Sequence, residues 1–111
     1  MTVNEIYNQL AQIIIDSDIE DWKVANLYVE RLEKYTGAFG RYLNKEGVER
    51  RMNDAKFGYS FSLLIHELHS ITTEGGHNRW NKLKFTLYPT GKFEIEFIWD
   101  QEYQDKVDNV K

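Results

Sequence analysis

Three groups of residues have types and spacings that could do chemistry. In His66-Glu67-Leu68-His69 two imidazoles flank a carboxylate. A zinc peptidase helix needs histidines at i and i+4 with the glutamate as general base, and here the second histidine comes one residue early. An i, i+3 pair can still ligate a metal, with His77 offering a third nitrogen. The spacing nevertheless fits the polar flank of an amphipathic helix better, and no metal site is expected. Glu94, Glu96, Asp100 and Glu102 form the second group. A carboxylic acid that must stay protonated for hydrolysis needs an apolar pocket, whereas these lie beside lysines on a strand leading into a polar tail. A solvated face is expected, or an acidic, partly aromatic surface for a basic protein, with Trp99 and Tyr103 as anchors. The third group, Gly75-Gly76 before Asn78, lacks the lysine and hydroxyl of a phosphate loop and follows a helix instead of a strand. It reads as a helix stop. No nucleophile, base and orienting group can be assembled from spacing, so catalytic residues and cofactors are expected to be absent.

The elements that must position these groups come from 111 residues with one Pro and no Cys. This is one domain over residues 1–111, with 41% apolar residues to build a single core. Without cysteine there is neither a disulfide scaffold nor a thiolate, which fits a reducing, cytoplasmic compartment. The start of the chain lacks a signal peptide's basic end and long apolar run, so neither export nor membrane insertion is expected. A net charge of -4 argues against direct nucleic-acid binding. From Glu94 to Lys111 six acids face two lysines, an excess equal to the net charge of the whole chain. Asp16, Asp18, Glu20 and Asp21 form a second acidic cluster, and the middle is basic, with Arg41, Lys45, Arg50, Arg51 and Lys56.

Ile6, Leu10, Ile13 and Ile14 make a helical stripe, and Thr2 with Glu5 has capping-box form, which predicts a helix over 3–15. From Trp22 to Leu32 two runs of period two meet with a phase shift near Ala25-Asn26. That predicts a strand with a bulge there, a helix being the competing reading. Ala38 to Leu43 reads as a second strand entered and left by turns, and residues 44–56 as a loop with a short strand or turn. Phe61, Leu64, Ile65, Leu68 and Ile71 predict a helix over 59–73, capped by Ser60 or Ser62. Leu83, Phe85 and Leu87 alternate with polar residues, as do Phe93, Ile95 and Phe97. With Pro89-Thr90-Gly91 between them, they predict an antiparallel hairpin with one wet face.

That hairpin, W-N-K-L-K-F-T-L-Y-P-T-G-K-F-E-I-E-F-I-W-D from Trp80 to Asp100, resembles the closing hairpin of the YezG-like immunity or antitoxin family. Trp80, Gly91, Lys92, Phe93 and Asp100 match its pattern. The opening helix, the Glu20-Asp21-Trp22 start of a strand and the aromatic helix before the hairpin agree in order. The chain departs from the family in its basic middle, where an acidic insert is common. The resemblance implies a small cytoplasmic α+β domain that binds and neutralises a cognate polymorphic bacterial toxin, frequently a nuclease encoded beside it.

The expected fold is therefore α+β: a meander-like antiparallel sheet of about four strands, with the N-terminal helix and the 59–73 helix packed on one face. The expected function is a non-enzymatic toxin inhibitor whose partner-binding residues are Glu94, Glu96, Trp99, Asp100, Glu102 and Tyr103. The alternative is a small adaptor or ligand-binding domain using its aromatic, acidic sheet face.

Overall fold

A computed structural model describes residues 1–32, 35–55, 57–76 and 78–109. His77, Lys56 and Lys111, named above as a third metal nitrogen, part of the basic middle and part of the tail charge, lie outside the described residues. Helix α1 (Val3–Ile15) leads into strands β1 (Trp22–Leu32), β2 (Tyr35–Asn44) and β3 (Glu49–Arg51). Helix α2 (Tyr59–Thr72) and a single 3-10 turn (Glu74–Gly76) follow, then β4 (Lys82–Leu87), β5 (Phe93–Ile98) and helix α3 (Gln101–Asp108). The five strands form one antiparallel sheet in the order β3-β2-β1-β4-β5. The class is the α+β fold expected, with a fifth strand. The meander is broken once, because α2 carries the chain from the β3 edge back across the sheet to β4 on the far side of β1.

Register explains the layering. Ala25, Leu27 and Val29 of β1 lie opposite Leu87, Phe85 and Leu83 of β4, which in turn face Phe93, Ile95 and Phe97 of β5. All of these point to one inner face, where Ile6, Leu10 and Ile14 of α1 and Phe61, Leu64, Ile65 and Leu68 of α2 close the core. Phe85 stacks on Phe93 with centroids 5.2 Å apart, and Tyr7 meets Phe93 edge-on at 5.5 Å. Trp80 is buried, and its indole N–H donates to the Thr72 hydroxyl at 2.8 Å, so its one polar atom is satisfied. Among the described residues no helix is long and apolar enough to cross a membrane.

Several boundaries differ from the sequence reading, each for a local reason. The β1 irregularity falls between Trp22 and Val24. Trp22 therefore shares the inner face, while Val24 turns outward opposite Leu43. β1 is a strand throughout, not the competing helix. β2 is longer than expected, starting at Tyr35, so Gly37 lies inside it instead of in an entry turn, and Gly40 is there because Met52 packs directly over it. α1 has its capping box on Thr2 and Glu5, but α2 starts at Gly58 without a side-chain cap, and neither Ser60 nor Ser62 supplies one. Ile71 is more than a third exposed and not part of the core. The polar tail is a helix, α3. The Asp100 carboxylate accepts from the Tyr103 N–H, with Glu102 in the first turn and Lys106 in the last, each placed favourably for the helix dipole. The hairpin turn is as read. Gly91 donates its N–H to the Tyr88 carbonyl at 2.9 Å and sits at φ 90°, where only glycine is unstrained.

The Gly40–Met52 contact gives a direct test of this packing. A Cβ at Gly40 would overlap the buried Met52 side chain, so Gly40→Ala should destabilise by about 1–3 kcal/mol through overpacking. Met52→Ala should cost about 2–5 kcal/mol through the cavity it leaves. Combined, the two should cost clearly less than their sum, because the new methyl enters the vacated space. Urea unfolding of the three variants measures this, and strict additivity would show that the two residues do not touch.

Candidate functional site

The face of the sheet away from α1 and α2 is built in rungs. Pairing sets Phe39, Tyr28, Lys84 and Glu96 in one row across β2, β1, β4 and β5, with Arg41, Asn26, Thr86 and Glu94 in the next. The first row is centred on an aromatic pair, Tyr28 stacked on Phe39 at 4.9 Å and 20°. Lys84 Nζ lies 5.8 Å from the Tyr28 ring centroid and the Arg41 guanidinium 5.9 Å from that of Phe39, so a cation flanks each end of the stack. Phe39 is 39% exposed. The Thr86 hydroxyl donates to the Asn26 side-chain oxygen at 2.7 Å and pins the second row. Glu94 and Glu96 are exposed on this face, on the outermost strand.

The remaining carboxylates and aromatics predicted for partner binding are distributed by the start of α3. Asn81 is buried, and its side chain bonds the Asp100 backbone twice: its amide N–H donates to the carbonyl and its oxygen accepts the N–H, both at 2.8 Å. This holds Asp100 as a helix cap and sets its carboxylate 2.8 Å from Lys82 Nζ. The lysine's hydrogen bond, followed by that of the Tyr103 N–H, keeps the Asp100 carboxyl below the usual carboxylate range. Lys82 Nζ also stands 4.9 Å from the Tyr103 ring centroid. Burial, and then the neighbouring Glu30 carboxylate, push the Tyr103 phenol up to about 12. Asp100 and Tyr103 thus anchor α3 to the outer face at the rung where Glu30 opposes Lys82. Glu102 is exposed in the first turn of α3. Trp99 leaves the group: the Arg79 guanidinium lies 4.3 Å from its ring centroid, and its N–H donates to Gln101 at 2.9 Å.

Trp99 instead lines an open cleft of about 500 Å³ at the end of the sheet, with Arg31, His69, Arg79, Trp80 and Gln104. Here the two histidines of α2 find their partners. Arg31 follows Val29 on the inner face and donates its Nε–H to His66 Nδ1 at 3.2 Å. Because an arginine can only donate, His66 Nδ1 is the bare nitrogen, and its Nε2–H is left to donate to the Thr36 hydroxyl at 3.1 Å. His69 Nε2 lies 3.1 Å from the Trp80 carbonyl, which can only accept, so the proton sits on Nε2. That makes the 3.5 Å approach of Arg31 to the same atom a contact and not a hydrogen bond. Both rings are biased toward the neutral form. Burial and then the Arg31 charge lower both pKa values, although for His69 the Trp80 hydrogen bond opposes this. With a guanidinium held beside them, these imidazoles are poorly placed for a cation. Among the described residues no three His, Asp or Glu side chains group as metal ligands.

The sequence missed the two most organised parts of this arrangement. Tyr28 falls on the outward side of the β1 alternation and its stacking partner Phe39 lies in the strand predicted over Ala38 to Leu43, but nothing in the sequence sets the register that brings the two rings together. The Arg31 cluster had one available signal, an arginine at a core-face position in a strand pattern. No family model matches the chain, and no curated protein matches it.

The neutral histidines make stability depend on pH in a defined window. A histidine whose folded pKa is lowered binds fewer protons than in the unfolded chain, so stability falls as pH drops through the ordinary value of about 6.5 and levels off below the folded pKa. The melting temperature should therefore be lower at pH 5.5 than at pH 8. In His66→Asn/His69→Gln, which keeps an acceptor near Nδ1 of one ring and a donor near Nε2 of the other, that difference should shrink. Asp100 and Glu5, also lowered, act only in the carboxylate range below this window. A slope unchanged by the double substitution would assign the pH dependence to other groups.

Proposed function

We propose that the protein is a non-enzymatic inhibitor: an immunity protein that binds a cognate bacterial toxin, of nuclease type, and blocks its active or partner-binding site. The observation that carries this reading is the outer rung Phe39–Tyr28–Lys84–Glu96. Binding energy in protein interfaces concentrates in a few aromatic and arginine side chains surrounded by a polar rim, and this face has an aromatic stack, Phe39 exposed and Tyr28 half-buried, flanked by Lys84 and Arg41. Around it, Glu94, Glu96, Glu102 and Asp105 place negative charge along β5 and α3. A nuclease must present lysine and arginine to phosphate, so such a border speeds encounter and aligns the partner. The hairpin's resemblance to the YezG-like family supplies the class of partner. A second reading, an adaptor that takes a peptide or small molecule, has the cleft between Arg79, Trp99 and His69 in its favour.

The test is co-expression with the protein encoded by the adjoining reading frame, followed by calorimetry of the purified pair. Growth rescue and a 1:1 complex are expected, with an association rate that falls as added salt shortens the Debye length from about 10 Å to about 3 Å. Phe39→Ala should weaken the complex more than tenfold. It should lower the free protein's melting temperature by only a few degrees, since a stacked pair contributes about 0.5–1.5 kcal/mol beyond burial. Unchanged affinity would move the interface off the aromatic rung, and absence of both complex and rescue would remove the inhibitor reading.

A further inference from the structure

The sheet has two edges of very different length. At one, β3 is a three-residue strand, Glu49–Arg51, whose Glu49 pairs back to Arg41 at 3.3 Å. At the other, β5 runs for six residues, and among the described residues no strand pairs with its outer side. The hairpin turn fixes which backbone groups that side presents. Tyr88 donates its N–H to the Lys92 carbonyl at 2.9 Å, so residues 88 and 92 are a hydrogen-bonded pair. By the period of two, Thr86 with Glu94, Lys84 with Glu96 and Lys82 with Ile98 are hydrogen-bonded pairs as well. The N–H and C=O groups of Phe93, Ile95 and Phe97 therefore point away from β4, along an open edge.

Natural edge strands are usually blunted by proline, bulges, lysines or short length. β5 has no proline, and its pairing with β4 is regular over all six residues. Its exposed charges are two glutamates on the outer face, while Phe93, Ile95 and Phe97 on the inner face are only half-buried. Charge decides what can pair there. In an antiparallel pairing with a second copy centred on Ile95, Glu94 would stand opposite Glu96 of that copy on one face, twice, and directly opposed like charges are destabilising. A strand with Lys or Arg at alternate positions would meet both glutamates, and its other side chains would cover the exposed parts of the three apolar residues.

We propose that the outer edge of β5 takes an extended, basic segment of the partner protein as a sixth strand, bonded through the backbone of Phe93, Ile95 and Phe97 and selected by Glu94 and Glu96. This rests on the reading of the protein as an inhibitor of a basic partner, and it names the mode of docking: main-chain pairing supplies the common affinity and the alternating glutamates supply the selection. The aromatic rung ends on the same strand at Glu96, so a partner paired along β5 adjoins that rung at its β5 end.

The experiment uses the whole chain and two capped decapeptides, one alternating Lys and Val, the other Glu and Val. Hydrogen exchange resolved by amide should show Phe93, Ile95 and Phe97 exchanging fast in the free protein and Glu94 and Glu96 slowly. The Lys/Val peptide should slow the first three, and the Glu/Val peptide should not. Ile95→Pro deletes an outward N–H without touching the β4 ladder, and Ile95→Ala removes the same packing but keeps that N–H. The proline variant should bind the Lys/Val peptide at least tenfold more weakly than the alanine variant. Equal binding by the two variants, peptide binding without protection of the three amides, or protection that rises with the protein's own concentration would each overturn the proposal, the last assigning the edge to a second copy. The same footprint taken on the complex with the adjoining gene's product separates the two levels. A complex that protects residues elsewhere refutes the edge and keeps the inhibitor, whereas peptide docking with no such complex keeps the edge and refutes the inhibitor.

Discussion

β1 is paired on both sides, and its register with β2 and β4 decides which face of almost every other residue in the sheet meets water. Because Ala25, Leu27 and Val29 must lie under α1 and α2, Tyr28 is forced outward, and with it the residues opposite, Phe39 and Lys84. A one-residue slip would exchange the two sets and bury the charges. The chain prevents this partly by confining its irregularity to the Trp22–Val24 end, before the ladder with β4 begins, so that the whole β1–β4 pairing runs without a break. The outer surface is thus a by-product of core burial, fixed in position by contacts made on the other side of the sheet.

A second constraint acts at the end of the sheet where β4 begins and β5 finishes. There the Asn81 side chain pairs with the Asp100 backbone as another strand residue would, while its own carbonyl accepts from the Arg31 N–H at 2.8 Å. A buried amide with all these partners is stabilising only as a complete set, since loss of one leaves a desolvated polar group behind. It fixes the point from which α3 departs. Lys82, Asp100 and Tyr103 meet on one side of that point and Arg79 with Trp99 on the other, which is why neighbours in sequence end on different surfaces.

How much of this the sequence disclosed depended on whether the signal was periodic or positional. α1, α2 and the β4–β5 hairpin were legible because their apolar residues repeat at helical or strand period and their ends carry a capping box or a Pro-Thr-Gly turn. α3 was missed because an eight-residue helix with no buried residue has no apolar stripe, and its cap residue, Asp100, also reads as part of an acidic run. The start of β2 was misread because Gly37 signals a turn in sequence, whereas it lies inside the strand. Among the predicted site residues, Glu94 and Glu96 fall where alternation places them. Trp99 lies beyond the last residue of β5, where strand alternation no longer dictates direction, and it turns into the cleft.

The crossover through α2 has a consequence for how the molecule comes together. Hairpins β1–β2 and β4–β5 close over short connections, but Ala25 meets Leu87 across 62 positions of chain. Closing a loop roughly ten times longer than the hairpin turn costs on the order of 2 kcal/mol more in chain entropy, which must be lost before the contacts it allows can form. During synthesis from the N-terminus, β1 has one full edge without a neighbour until β4 has been made. The last third of the chain therefore completes the core as well as providing the acidic strand, and truncation there removes the shared fold together with the surface.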